Sequence, residues 1–184
     1  MRLHDLDRGE RAWTIAAGLP IYVSLFGRDT LTASWQAAIL GPEMMQGTLP
    51  ELARWQGTED NPWRDEQRGK MLHEAHTGPL AKLQCNPRDL YYGAITTSAF
   101  YPVVISELWH WTGDKQMVGP LIESALKAIA WSDKYADLRG DGFRCNKCEA
   151  TVFAAIKKSC AGERSSGNID GASYGVVTFP ATMV

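Results

Sequence analysis

The chain of 184 residues is long enough for one globular domain, and an apolar content of 45% with 22% charged residues is ordinary for such a domain. A formal net charge of −2 and the lack of any block of Lys or Arg argue against a nucleic-acid partner. Because the N-terminal sequence does not resemble a secretion signal and no apolar run could cross a bilayer, we expect a cytoplasmic protein without a membrane partner.

The run from Phe26 to Thr30 marks the point where a short apolar stretch gives way to a helical pattern. Arg28 offers a planar fork of donors and Asp29 offers two acceptor oxygens, so the pair can grip adjacent sugar hydroxyls or bind each other. The alternative is that Asp29 or Thr30 caps the following helix and that Arg28 is merely solvated.

Two helices joined by Gly41 and Pro42 are predicted next. The first buries one face, made of Leu31, Trp35, Ala38 and Ile39. The second ends by Gly57, is expected to be kinked or split at Gly47 or Pro50, and buries Met45, Leu49, Leu52 and Trp55. Consecutive helices with so tight a link form a hairpin.

A long loop is predicted from Thr58 to about Pro87, and its first half mixes charged side chains with an indole. Carbohydrate sites use this mixture, because an aromatic ring packs on the C–H face of a sugar while charged groups bind its hydroxyls. A solvated loop with local salt bridges is the alternative. The candidate residues are Trp63, Asp65, Glu66, Lys70 and His73.

A second helical hairpin is predicted after Tyr91-Tyr92-Gly93. Gly113 ends its first helix and Asp114 caps its second. The first helix buries Tyr101, Val104, Ile105, Leu108 and Trp111, and the second buries Val118, Leu121, Ile122, Ala125, Ile129 and Ser132.

The composition changes near residue 144, since all seven tryptophans precede it. We therefore divide the chain into a helical domain over residues 1–144 and a divergent tail over 145–184, which is either a peripheral, poorly ordered segment or the product of a shifted reading frame. Three of the four cysteines lie in this tail, and no His follows His110. The Cys145-x-x-Cys148 pair thus lacks the remaining ligands of a zinc site, and we predict no metal.

Five ordered motifs together resemble bacterial glycogen-debranching, amylo-α-1,6-glucosidase-like proteins. They are Ala17 to Pro20, Leu25 to Thr30, Gln56 to Glu74, Tyr91 to Gly93 and Trp111 to Asp114. The resemblance covers about residues 10–144 and implies an all-α fold, a partial (α/α)6 toroid built of helical hairpins. It implies that the chain is the N-terminal part of a catalytic domain. The full-length parent would be an inverting hydrolase of α-1,6-glucosidic bonds that uses water as nucleophile and needs no cofactor, with an oligosaccharide or glycogen-type α-glucan as partner.

The resemblance also implies roles for individual residues. Arg28 and Asp29 would bind the hydroxyls of the terminal glucose, and the same pocket would be lined by Trp63, Asp65, Glu66, Lys70 and His73. The family's general acid and base have no counterpart in this chain, so the catalytic residues stay unassigned. Among the chain's own carboxylates, Asp29, Asp65, Glu66 and Glu74 are candidates for the pair that glycoside hydrolysis requires, but sequence spacing does not select one.

Two other functions fit the same motifs. One is hydrolysis of another small glycoside, such as a mannosylglycerate- or trehalose-like substrate. The other is a catalytically inactive, truncated sugar-binding fragment.

Overall fold

The structure is a computed structural model that describes residues 14–18, 20, 23–76, 83, 89–136, 143–144 and 179–180. Helices dominate these residues, in agreement with the predicted all-α class, and short strands accompany them. Predictions for Cys85, Cys145, Cys148 and Cys160, and for nearly all of the tail, concern residues outside the described ranges.

The first predicted hairpin is confirmed, with a different start. Helix α1 spans Gly27–Gln36, a 3-10 segment spans Ala37–Leu40, and helix α2 spans Glu43–Arg54. The predicted cap is wrong: the N-cap is Phe26, which makes no side-chain cap bond, and Asp29 lies in the first turn. The Gly27 N–H donates to the carbonyl of His73 at 2.8 Å, which satisfies one of the backbone donors that the first turn of a helix leaves without an intrahelical partner.

The predicted apolar face is largely right for α2 and half right for the first helix, where Trp35 is 39% exposed. Leu31 and Ala38 are buried, as are Met45, Leu49 and Leu52 on α2. Ile39, however, is 82% exposed, because the 3-10 segment has three residues per turn and moves this side chain off the face that a continuous α-helix would bury. The expected split of α2 is wrong, since the helix runs through Gly47 and Pro50 without interruption.

The second predicted hairpin is confirmed, and so are the residues predicted at the two ends of its turn. Helix α3 spans Thr96–Thr112 and helix α4 spans Lys115–Tyr135. Gly113 adopts the left-handed conformation, with φ at 62°, and Asp114 Oδ1 accepts a hydrogen bond from the Gln116 N–H at 2.8 Å. Trp111 and Ile122 were assigned to the core wrongly, since they are 52% and 44% exposed.

The helices pack around a main apolar core, and Ile95, Trp131 and Ala136 form a second, smaller cluster. Helix α3 lies along α4, α1 packs on α2 and α3, and α2 also contacts α4. The fully buried side chains include Leu31, Met45, Leu49, Leu52, Val104 and Leu108. Each is worth about 1.5 to 3 kcal/mol relative to an exposed position. No helix in the described ranges is long and apolar enough to span a membrane.

A small antiparallel sheet, which the sequence does not predict, precedes α1, and its first strand leads directly into that helix. Its strands are β1 (Leu25–Phe26), β2 (Glu74–Ala75) and β3 (Leu90–Tyr91), in the order β1-β2-β3. Phe26 lies opposite Glu74, which lies opposite Tyr91. A second antiparallel pair joins β4 (Phe143–Arg144) to β5 (Phe179–Pro180).

Candidate functional site

Backbone hydrogen bonds align several chain segments along one edge of the three-stranded sheet. The Gly27 N–H donates to the His73 carbonyl at 2.8 Å, and the His73 N–H donates to the Tyr91 carbonyl at 2.9 Å. On the far side of β3, the Tyr92 N–H donates to the Arg64 carbonyl at 2.9 Å. We call this line of segments, from Gly27 through His73 and Tyr92 to Arg64, the edge row. Since neighbouring strands lie about 4.8 Å apart, the two intervals from Gly27 to Tyr92 span about 10 Å.

Arg28 and Asp29 lie at one end of the edge row, in the first turn of α1. Their side chains are 55% and 49% exposed, and Arg28 Nη2 lies 3.7 Å from Asp29 Oδ1. So long a separation between exposed groups stabilises the fold little. The partial positive charge of the helix N-terminus favours the Asp29 carboxylate at this position. The pair therefore keeps donors and acceptors accessible to a ligand.

His73 lies next to this pair. Its backbone carbonyl and N–H are both hydrogen-bonded, to Gly27 and to Tyr91 respectively. Its ring centroid is 5.8 Å from that of Tyr91, and its Nδ1 is buried without a hydrogen-bond partner among the described residues. Burial lowers the pKa of His73 most strongly, and the nearby cations of Arg28 and Lys70 lower it further, while the carboxylates of Glu74 and Asp29 oppose the shift. The imidazole is therefore neutral near pH 7.

This lowered pKa makes a prediction about stability. The unfolded chain binds a proton at His73 more readily than the folded chain, so the free energy of unfolding should fall as the pH drops below the ordinary His pKa of about 6.5. Replacement His73→Gln should remove that part of the pH dependence. Urea unfolding between about pH 8 and pH 5 measures it. The exposed His110→Gln serves as control, and an unchanged pH slope in His73→Gln would contradict the assignment.

Asp65, Glu66 and Lys70 lie inside the loop and bind its own atoms. Lys70 is 1% exposed; its Nζ donates to Asp65 Oδ2 at 2.9 Å and to the Asp65 carbonyl at 3.1 Å, and lies 5.1 Å from the Trp131 ring centroid. Glu66 Oε1 accepts a hydrogen bond from the Thr58 N–H at 2.9 Å. The structure thus places these three residues inside the loop, where Lys70 also contacts α4, whereas Arg28 and Asp29 are exposed.

Trp63 lies at the other end of the edge row, directly before Arg64. Its side chain is on a turn closed by two backbone hydrogen bonds between Asn61 and Glu66, each of 3.0 Å, and the residue is 55% exposed. Arg64 in turn forms an ion pair with Asp89 at 3.2 Å. The sequence-predicted site residues therefore divide into the edge row, with Arg28, Asp29, His73 and Trp63, and the loop interior.

A polar chain between β1 and β2 was missed by the sequence analysis. Ser24 Oγ lies 3.0 Å from His76 Nδ1, and His76 Nε2 lies 3.1 Å from Glu74 Oε2. The spacing of Glu74 and His76 two residues apart, on one face of a strand, is the signal that could have indicated it. Glu74 is buried and its carboxylate binds His76, so this side chain stabilises the pairing of the strands that carry the edge row.

The described residues contain no group of three or more His, Cys, Asp or Glu side chains placed to hold a metal ion. Comparisons with known proteins add no family assignment: a scan against protein families finds no match, and neither does a comparison with curated proteins.

Proposed function

We propose that this chain forms the sugar-binding end of an inverting α-glucosidase of the glycogen-debranching type, within a partial (α/α)6 toroid. The observation that carries the proposal is the accessible Arg28 and Asp29 pair at the start of α1, beside His73. The two consecutive helical hairpins and the five sequence motifs agree with it.

A neutral sugar suits this arrangement. Arg28 can donate to two adjacent hydroxyls and Asp29 can accept from two, so together they can bind a diol in one orientation. The neutral imidazole of His73 has one donor and one acceptor nitrogen and adds no net charge to the site. A phosphorylated ligand would be less well matched, since Asp29 would repel it.

The pair is proposed to bind substrate rather than to transfer protons. Inverting hydrolysis needs an acid and a base about 6.5 to 9.5 Å apart with room for water between them. Glu66 and Glu74 are buried, and each is engaged in an internal hydrogen bond. The general acid and base are therefore left unassigned.

Equilibrium binding of panose, which contains an α-1,6-linked glucose, tests the proposal. Loss of a hydrogen bond to a charged group costs about 1.5 to 3 kcal/mol, so Asp29→Asn and Arg28→Gln should each weaken panose binding by about tenfold to a hundredfold. Isothermal titration calorimetry on the whole chain measures it. The matched controls are Glu123→Gln and Lys127→Gln, which alter an exposed ion pair on α4 and should leave the affinity unchanged.

Two results would decide against the proposal. Absence of panose binding by the unaltered chain would contradict it directly. Equal losses in the Asp29 and Glu123 variants would show that the effect comes from charge in general rather than from the pair. Tighter binding of trehalose or mannosylglycerate than of panose would favour the hydrolase of another small glycoside.

A further inference from the structure

We propose that Ser24, His76 and Glu74 form a catalytic centre in which the Ser24 hydroxyl is the nucleophile that takes a small acyl group from an ester. Ser24 Oγ lies 3.0 Å from His76 Nδ1, and His76 Nε2 lies 3.1 Å from Glu74 Oε2. A serine in hydrogen-bond contact with a base that a carboxylate in turn orients is the arrangement that activates this nucleophile. The inference goes beyond the proposed function and does not depend on sugar binding.

The pairing of β1 with β2 brings the three side chains together. Phe26 lies opposite Glu74, and the same antiparallel register, continued by two residues, sets position 24 opposite position 76. Glu74 and His76 are two residues apart, so their side chains lie on one face of the extended chain. The Phe26 ring also meets the His76 ring edge to face, with 5.7 Å between the centroids. The imidazole is therefore held by contacts from both strands.

The hydrogen bonds assign a role to each imidazole nitrogen. A carboxylate accepts hydrogen bonds and does not donate them, so the nitrogen of His76 that faces Glu74, Nε2, carries the proton. Nδ1 is then the acceptor, and the Ser24 hydroxyl donates to it. In this tautomer His76 is placed to take the Ser24 proton as a general base.

The backbone at Ser24 is both held in place and strained. The Ser24 N–H donates to the Ala17 carbonyl at 3.2 Å, and the Ser24 carbonyl accepts from the Ala17 N–H at 3.0 Å. The preceding residue, Val23, has a φ of 42°, which β-branched residues rarely adopt. Strain of this kind clusters at active sites. Since Ser24 is only 7% exposed, its hydroxyl suits a small acyl group rather than a bulky one.

The reaction is an acyl transfer through Ser24. The serine oxygen forms a bond to the carbonyl carbon of the ester while its proton passes to His76 Nδ1. The bond from that carbon to the alkoxide breaks, and His76 returns the proton to the leaving alkoxide. Water then attacks the acyl-serine, gives a proton to His76, and the serine oxygen leaves with that proton. Glu74 is a positioning residue, which orients the imidazole and stabilises its charged form.

Covalent labelling of the unaltered whole chain with methanesulfonyl fluoride tests the proposal, because an activated serine oxygen displaces fluoride from the sulfur of this small reagent. Peptide mass mapping should find the label on Ser24 and not on Ser106, an exposed serine of α3. His76→Gln should slow the labelling of Ser24 by about a hundredfold or more. Ser132→Ala removes a serine of similar burial, 6% exposed, and should leave the rate unchanged.

The role of Glu74 is tested by two variants. Glu74→Gln keeps the size of the side chain and removes its charge, whereas Glu74→Asp keeps the charge on a shorter side chain. A positioning carboxylate predicts faster labelling of Ser24 in Glu74→Asp than in Glu74→Gln, and a purely structural role predicts the reverse order.

Three results would overturn the proposal. The first is a label on Ser24 of the unaltered chain that forms no faster than on Ser106, or no label at all, and this result does not depend on the folding of any variant. The second is an unchanged labelling rate in His76→Gln. The third is hydrolysis of p-nitrophenyl acetate that Ser24→Ala retains in full, since the proposal predicts that this variant loses it.

Discussion

Replacement of Lys70 by Met is expected to lower the free energy of unfolding by about 3 kcal/mol, because it leaves a nearly buried Asp65 carboxylate without its cation. Lys70 is 1% exposed and its ammonium binds both the side chain and the carbonyl of Asp65. The same ammonium lies 5.1 Å from the ring centroid of Trp131, so the substitution also removes one contact between the loop and α4. Urea unfolding of the two proteins measures the difference.

A double variant separates this mechanism from a simple loss of packing. Asp65→Asn combined with Lys70→Met should be more stable than Lys70→Met alone, since no unpaired charge remains buried. Asn suits the position because Asp65 has a φ of 51°, in the left-handed region that Asn tolerates. The control Lys127→Met, which breaks the exposed ion pair with Glu123, should leave the melting temperature unchanged. A single variant no less stable than the double would contradict the account.

Replacement of Gly27 by Ala is expected to destabilise the fold by about 2 to 3 kcal/mol and to disturb the edge row. An added Cβ would overlap the carbonyl oxygen of Leu72 and lie 2.7 Å from Thr97 Cγ2. Neither neighbour can move freely, since Leu72 is buried beside β2 and Thr97 lies in the first turn of α3. Thermal unfolding followed by circular dichroism measures the loss.

Gly119→Ala provides the matched comparison. Gly119 lies within α4, and an added Cβ there would meet nothing within 4 Å. Ala is the better helix former, so this variant should gain about 0.5 to 1 kcal/mol. Equal changes in stability for the two substitutions would contradict the claim that the close approach of Leu72 and Thr97 requires glycine at position 27.

The helices could be predicted from local signals in the sequence. Apolar residues at helical spacing identified Tyr101, Val104, Ile105 and Leu108 as buried, and Gly113 with Asp114 located the turn between α3 and α4. These features depend on neighbours within a few residues. Errors arose where tertiary context decides, as with Ile39 in the 3-10 segment and Ile122 on the open side of α4.

The sheet and the division of the site could not be predicted in the same way. Strands of two residues are too short for an alternating pattern, and each pairs with a segment far away in the chain. Asp65, Glu66 and Lys70 have the composition of a sugar site, yet only the fold shows that they bind within the loop. Conversely, the motif around Arg28 did indicate an exposed pair, and the sheet explains why its position is fixed.

The affinity of the whole chain for panose, measured side by side for the unaltered protein, Asp29→Asn and Glu123→Gln, tests the central claim most directly. The account predicts that the unaltered protein and Glu123→Gln bind panose equally well and that Asp29→Asn binds about tenfold or more weakly. Panose binding that is undetectable in the unaltered protein, or that is the same in all three proteins, would contradict it.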